Sequence, residues 1–92
     1  MASSHLSIEE YRKIKRHIVK KLYSHQAFQQ GHLLYERLLS GIPSHLRGCV
    51  RIVLKDLLRE EVVLFYGRTN YGDAYQLNIK KLKDIETILA EE

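Results

Sequence analysis

Apolar residues recur along this chain with two different periods. From Ile8 to Leu22 the spacing is helical: Ile8, Tyr11, Ile14, Ile18 and Leu22, flanked by Val19, gather on one side of a helix. Ser7 and Glu10 have the capping-box spacing, in which a hydroxyl and a carboxylate satisfy two free N–H groups at a helix start. The pattern predicts a helix ending near Ser24, with Lys13, Arg16, His17 and Lys20 on its polar side. It lapses between Gln26 and Gly31, where AFQQG is either a very short strand or an extended connector. A second, short helix is expected from His32 to Leu39, with Leu33, Leu34 and Leu38 inward. Ser40-Gly41 stops it, because glycine accepts the left-handed conformation common just past a helix end.

The stretch from Ser44 to Glu61 carries the strongest pattern. Leu46, Val50, Val53, Leu54, Leu57 and Leu58 form one stripe, and Arg51, Lys55 and Arg59 lie opposite, beside Gly48 and Ile52. One buried stripe suffices to hold a helix to a domain, which leaves the cationic side outward. Ile42 before Pro43 is biased toward extended backbone, and Ser44 is placed to cap the helix. Gly48 lowers helix propensity by roughly 1 kcal/mol relative to Ala. It admits close approach of DNA or of a neighbouring helix, or else marks a late helix start at Cys49.

After Glu61 the period shortens. Val62 to Tyr66 has strand-forming residues, and Ala74 to Ile79 alternates, with Tyr75, Leu77 and Ile79 on one side and Gln76 and Asn78 on the other. Residues 67–73 are rich in turn formers and predict a hairpin with a longer loop. A last helix is expected from Lys81 to Ala90, burying Leu82, Ile85, Ile88 and Leu89.

At 92 residues the chain is expected to be a single domain, 1–92, with a polar tail over residues 1–6. Its hydrophobic share of 45% and charged share of 28% are those of a globular chain rather than a disordered one. No apolar run is long enough for a membrane span or a secretory signal. The only cysteine, Cys49, excludes an intramolecular disulfide, and a cytoplasmic location is the expectation. The net charge of +4 leans mildly toward polyanions. Residues 12–21 hold six Lys/Arg and no acid, whereas 84–92 hold four acids and no base.

Three helices followed by a two-stranded hairpin resemble the winged helix-turn-helix domains of bacterial and archaeal transcription regulators. The resemblance covers Ser7 to Ala90 and is carried most by residues 53–79, VLKDLLREEVVLFYGRTNYGDAYQLNI. It implies an α+β winged helix-turn-helix fold: a three-helix core, a C-terminal hairpin wing and a short terminal helix. It further implies sequence-specific binding of double-stranded DNA, with helix 44–60 in the major groove and the 67–73 wing on the backbone or minor groove. By position, Ser44, His45, Arg47 and Arg51 would contact bases, with Ile52 and Lys55 also facing the groove. Arg59 would lie nearer the backbone, and Arg68, Thr69 and Asn70 would form the wing tip. Such regulators often act as homodimers, and the terminal helix is a candidate for pairing with a copy of itself. Folding back on the chain's own core is the alternative.

Competing chemistry has little support in the spacing. The histidines at 5, 17, 25, 32 and 45 form no HxxxH pair, and Cys49 has no CxxC partner. Scattered boundary histidines and a core-like cysteine are expected, with no metal and no cofactor. No phosphate loop or nucleophile elbow occurs, so neither an enzyme nor a small-molecule substrate is expected. Tyr11, Tyr66 and Tyr75 fall at core or boundary positions, Tyr23 and Tyr35 suit an interface, and Tyr71 is expected to pack across the hairpin. The stacking platforms of single-strand binders are not evident. The remaining alternative is a winged helix that docks a protein partner within a larger complex, since fold alone does not assign function. The basic side of residues 44–59 favours nucleic acid.

Overall fold

The computed structural model describes residues 6–91 as an α+β arrangement of four helices and a three-stranded antiparallel sheet. Helix α1 (Ile8–Ser24) is followed by strand β1 (Leu33–Leu34) and helix α2 (Tyr35–Leu39). A 3₁₀ turn at Ser44–Leu46 leads into α3 (Arg47–Arg59). Strands β2 (Val63–Thr69) and β3 (Gly72–Leu77) then form a hairpin, and α4 (Leu82–Ala90) closes the chain. Most of the expected tail lies outside the described residues; Leu6, its last residue, packs against the core. Among the described residues no helix is long and apolar enough to cross a membrane.

The capping box at the start of α1 is complete: the Glu10 amide donates to Ser7 Oγ at 3.0 Å, and the Ser7 amide donates to Glu10 Oε1 at 3.3 Å. Both long helices end in the same way. At α1, the Ala27 amide donates to the Leu22 carbonyl and the Gln26 amide to Tyr23; at α3, Val62 donates to Leu57 and Glu61 to Leu58. These are Schellman closures, which require a left-handed residue just past the helix. Glycine is the usual choice, yet here Gln26 and Glu61 take positive φ, 53° and 63°.

Three expectations change. Leu33 and Leu34 are strand, not helix, because they pair with Tyr75 and Ala74 of β3. Only the second half of 32–39 is helical, and Leu34 is half-buried rather than inward. The connector before it is bound to β3 by a bridge from Phe28 to Leu77, in which the Leu77 amide donates to the Ala27 carbonyl, and by the Gln76 side-chain amide, which donates to the Gln29 and Gly31 carbonyls. Ser44 does not cap α3; it opens the 3₁₀ turn, and neither the turn nor α3 has a side-chain cap. The hairpin is also tighter than its composition suggests, since Thr69 and Gly72 are already paired and only Asn70-Tyr71 turn. Thr69 Oγ1 donates to the Gly72 carbonyl at 2.8 Å and accepts from the Tyr71 amide at 3.0 Å. Gly72, with φ +125°, supplies the backbone freedom there. The sheet order is β1-β3-β2, with a bulge in β2 at Tyr66.

Ile14, Ile18, Val19 and Leu22 of α1, Val50, Val53, Leu54 and Leu57 of α3, Val63 and Leu77 of the sheet, and Ile85 and Ile88 of α4 share one core. Ile8 is left out, 72% exposed, and Leu82 is also exposed; both sit one turn before the packed part of their helices. Ile79 lies beyond the end of β3 in a 3₁₀ turn and is exposed.

Two basic-side residues of α1 serve as tethers rather than free charges. Arg16 Nε donates to the Leu89 carbonyl at the end of α4 at 3.1 Å. His17 Nε2 donates to the Ser40 carbonyl at 2.8 Å, which ties α1 to the α2–α3 turn. Gly41 follows with φ +90°, and a Cβ there would come within 2.9 Å of the His17 ring.

Replacing Glu61 with glycine is expected to stabilise the fold by up to about 1 kcal/mol, because glycine takes left-handed φ without the Cβ penalty. Urea unfolding of Glu61→Gly checks this, and an unchanged midpoint contradicts it. Burial holds the His17 pKa below 6.5, outweighing its hydrogen bond to Ser40. The unfolded chain therefore binds the proton more readily, and stability is lost as pH falls from 6.5 through the folded-state value. His17→Gln keeps a donor but cannot titrate, so its stability should fall less over that interval; identical slopes would contradict the assignment.

Candidate nucleic-acid interface

The outward side of α3 is set by its inward side. With Val50, Val53, Leu54 and Leu57 in the core, Gly48, Arg51, Ile52, Lys55 and Arg59 are forced outward, and all five are exposed. Ser44 and His45 extend this side onto the 3₁₀ turn and are also exposed. Ile52 is 46% exposed, an apolar residue amid cations. Apart from its chain neighbours and the backbone of its own helix, nothing among the described residues lies within 4 Å of where a Gly48 Cβ would sit. The helix already starts at Arg47. Gly48 therefore neither makes room for a neighbouring helix nor marks a late start.

The cations of this side differ in freedom. Arg47 Nε donates to the Ile42 carbonyl at 3.2 Å, which folds its side chain back over the Ile42-Pro43 turn. Arg51 lies over the Tyr35 ring, 4.5 Å from its centroid. Arg59 pairs with Asp56 one turn earlier, which brings an acid to the end of the cationic row. Asp56 also accepts from the Tyr11 hydroxyl at 2.5 Å. Burial first, then this carboxylate, push the Tyr11 pKa up to about 12. Lys15 and Glu60 pair at 3.6 Å on the same flank. Lys55 forms no ion pair among the described residues.

The hairpin tip stands beside this surface. Arg68 and Asp73 face each other across the strands, with Nε to Oδ1 at 3.3 Å. Thr69 is occupied in shaping the turn, and Asn70 is exposed. An open cleft of about 300 Å³ runs between α2, α3 and the hairpin, lined by Tyr35, Glu36, Arg51, Tyr71, Asp73 and Tyr75. Tyr71 is 82% exposed and does not pack across the hairpin. Tyr75 is buried, which pushes its hydroxyl pKa up, with Asp73 adding to the shift. Tyr35 and Phe65 each meet the Tyr75 ring edge-on, at 6.4 and 5.7 Å, while His32 stacks on Tyr66 at 4.3 Å.

The sequence-predicted residues fall in two groups, α3 with its leading turn and the hairpin tip, and Arg51 lines the cleft between α3 and the hairpin. Sequence reasoning missed the aromatic cleft. Its tyrosines come from three elements, and no spacing signal links Tyr35 to Tyr71 and Tyr75. Cys49 is half-buried against the core. Among the described residues, no three His, Cys, Asp or Glu side chains converge as metal ligands; His5 lies outside them. No protein-family model, curated protein or solved structure matches the chain.

Proposed function

We propose that the chain is a winged helix-turn-helix domain that binds double-stranded DNA as a small transcriptional regulator. In this reading α3 enters the major groove and the β2–β3 hairpin is the wing. The observation that carries it is the outward side of α3, where Arg51, Lys55 and Arg59 are exposed in a row that starts one turn beyond Gly48. At 13 residues, α3 is about 20 Å long, and the major groove admits an α-helix between phosphate walls that attract cations. The element order and the tight hairpin beside α3 agree with the reading.

Roles divide by freedom of the side chains. Ser44, His45 and Arg51 sit on the N-terminal half and are the base-reading candidates, with Ile52 placed to meet a thymine methyl. Lys55 is the free phosphate contact. Arg47, Arg59 and Arg68 are oriented by Ile42, Asp56 and Asp73, which suits positioning on the backbone. Asn70 reaches out from the wing tip, and Thr69 keeps the tip in shape.

A second reading, a protein-docking module, is favoured by one observation: Phe65 is 53% exposed, next to exposed Tyr66, on edge strand β2. Titrating a random-sequence duplex by fluorescence anisotropy at several salt concentrations separates the two. DNA binding predicts affinity in the micromolar range that falls steeply with salt. Lys55→Ala should weaken every sequence alike and reduce the salt slope by about 1, whereas Arg51→Ala should also relax sequence preference. Absence of binding at low salt would remove the DNA reading and leave protein docking.

A further inference from the structure

The cleft between α2, α3 and the hairpin is too small to take a duplex. It is lined by Gly72 and by residues that carry three tyrosine rings, one guanidinium and two carboxylates: Tyr35, Tyr71, Tyr75, Arg51, Glu36 and Asp73. A volume of about 300 Å³ is at the small end for ligand sites. It has room for a flat ring system and not for a helix or strand.

We propose that this cleft receives an unpaired DNA base, at a point where the duplex lying along α3 is interrupted. The inference rests on the DNA-binding reading and names a more specific substrate for the same surface. Unpaired bases are recognised by stacking on aromatic rings or on arginine planes, with hydrogen bonds to their edges. The cleft supplies each element. Arg51 is already held over Tyr35, which fixes its guanidinium before any ligand arrives and leaves the residue exposed to the cleft. Tyr71 stands at the mouth with most of its ring in solvent, a costly position for an aromatic side chain that has no partner of its own. Glu36 forms no hydrogen bond or ion pair through its side chain among the described residues. Asp73 uses one oxygen on Arg68 and keeps the other. Carboxylates accept from the exocyclic amino groups of cytosine and from the other N–H donors exposed on unpaired bases.

Charge selects the polymer over a free base. Arg51 lines the cleft, Lys55 lies one turn further along the same side of α3, and Arg68 is paired with the cleft residue Asp73, so cations adjoin the path of the phosphates flanking a bound base. A protein ligand would need acidic side chains spaced on both sides of its inserted group to meet these cations, whereas a nucleic-acid base carries a flanking phosphate on each side in every sequence.

The test compares a perfect duplex with the same duplex carrying one bulged 2-aminopurine, measured at one salt concentration. The expected result is roughly tenfold tighter binding of the bulged duplex, with quenching of 2-aminopurine emission as it stacks. Tyr71→Ala should bring the bulged duplex down to the affinity of the perfect duplex measured with the same variant and abolish the quenching, and Tyr71→Phe should retain both the preference and the quenching. Tyr71 sits at the hairpin tip outside the core, so its removal leaves the packing intact. Equal affinity for the two duplexes with no quenching would overturn the proposal while leaving duplex binding in place. No binding of either would overturn the DNA reading and this inference with it. Retention of the preference in Tyr71→Ala would show that the bulge is read elsewhere, and would overturn the assignment to this cleft.

Discussion

Everything on the candidate surface depends on one packing constraint, the burial of Val50, Val53, Leu54 and Leu57 from α3 against α1 and the sheet. A helix rotated about its axis by one residue would move about 100° and carry its stripe out of the core. The buried stripe thus fixes which residues face outward. Truncating a residue such as Leu57 in a packed core typically costs about 2–5 kcal/mol, against a total stability of about 5–15 kcal/mol for a domain. The orientation of Arg51, Lys55 and Arg59 is therefore enforced by a term much larger than anything those side chains contribute themselves. Exposed ion pairs such as Arg59–Asp56 contribute little to stability; their effect is to restrict where a guanidinium points.

The second layer of organisation is hydrogen bonding between elements at their ends. His17 to Ser40 and Arg16 to Leu89 join α1 to the α2–α3 turn and to α4, while Tyr11 to Asp56 joins α1 to the last turn of α3. The first two contacts use Arg16 and His17, which would otherwise belong to a uniform basic face of α1. The chain's net charge of +4 consequently overstates the freely available cationic surface, and the distribution of tethered and untethered cations is more informative than the sum. Among the described residues no residue with a polar or charged side chain is fully buried, and no buried side-chain nitrogen or oxygen lacks a partner. The polar chemistry thus lies at the surface and at element boundaries.

Elements with strong periodicity were legible in sequence. The capping box of α1, the buried stripes of α1 and α3 and the existence of the hairpin all follow from side-chain pattern. The misplacements have local causes. Leu33-Leu34 is strand because β3 pairs with it from 40 residues away, and no local spacing records a long-range pairing. The hairpin turn is short because Thr69 bonds across it, and Gly67 and Gly72, which fall within the loop expected over 67–73, belong to the strands. The left-handed closures at Gln26 and Glu61 lack the glycine that would announce them. For the surface, exposure could be inferred from the stripe, but commitment could not. Arg47 bonding to Ile42, Arg59 to Asp56 and Arg51 lying over Tyr35 are tertiary or rotameric facts. The cleft assembled from Tyr35, Tyr71 and Tyr75 was invisible for the same reason.

The central claim is that the outward side of α3 and the adjoining hairpin tip form one DNA-binding surface. The most direct test is a titration of isotope-labelled protein with a short duplex, followed by backbone amide chemical shifts. The account predicts that the largest changes fall between Ser44 and Arg59 and between Arg68 and Gly72, with α4 essentially unaffected. Changes concentrated on α4 or on the Arg12–Lys20 side of α1, with α3 silent, would contradict it.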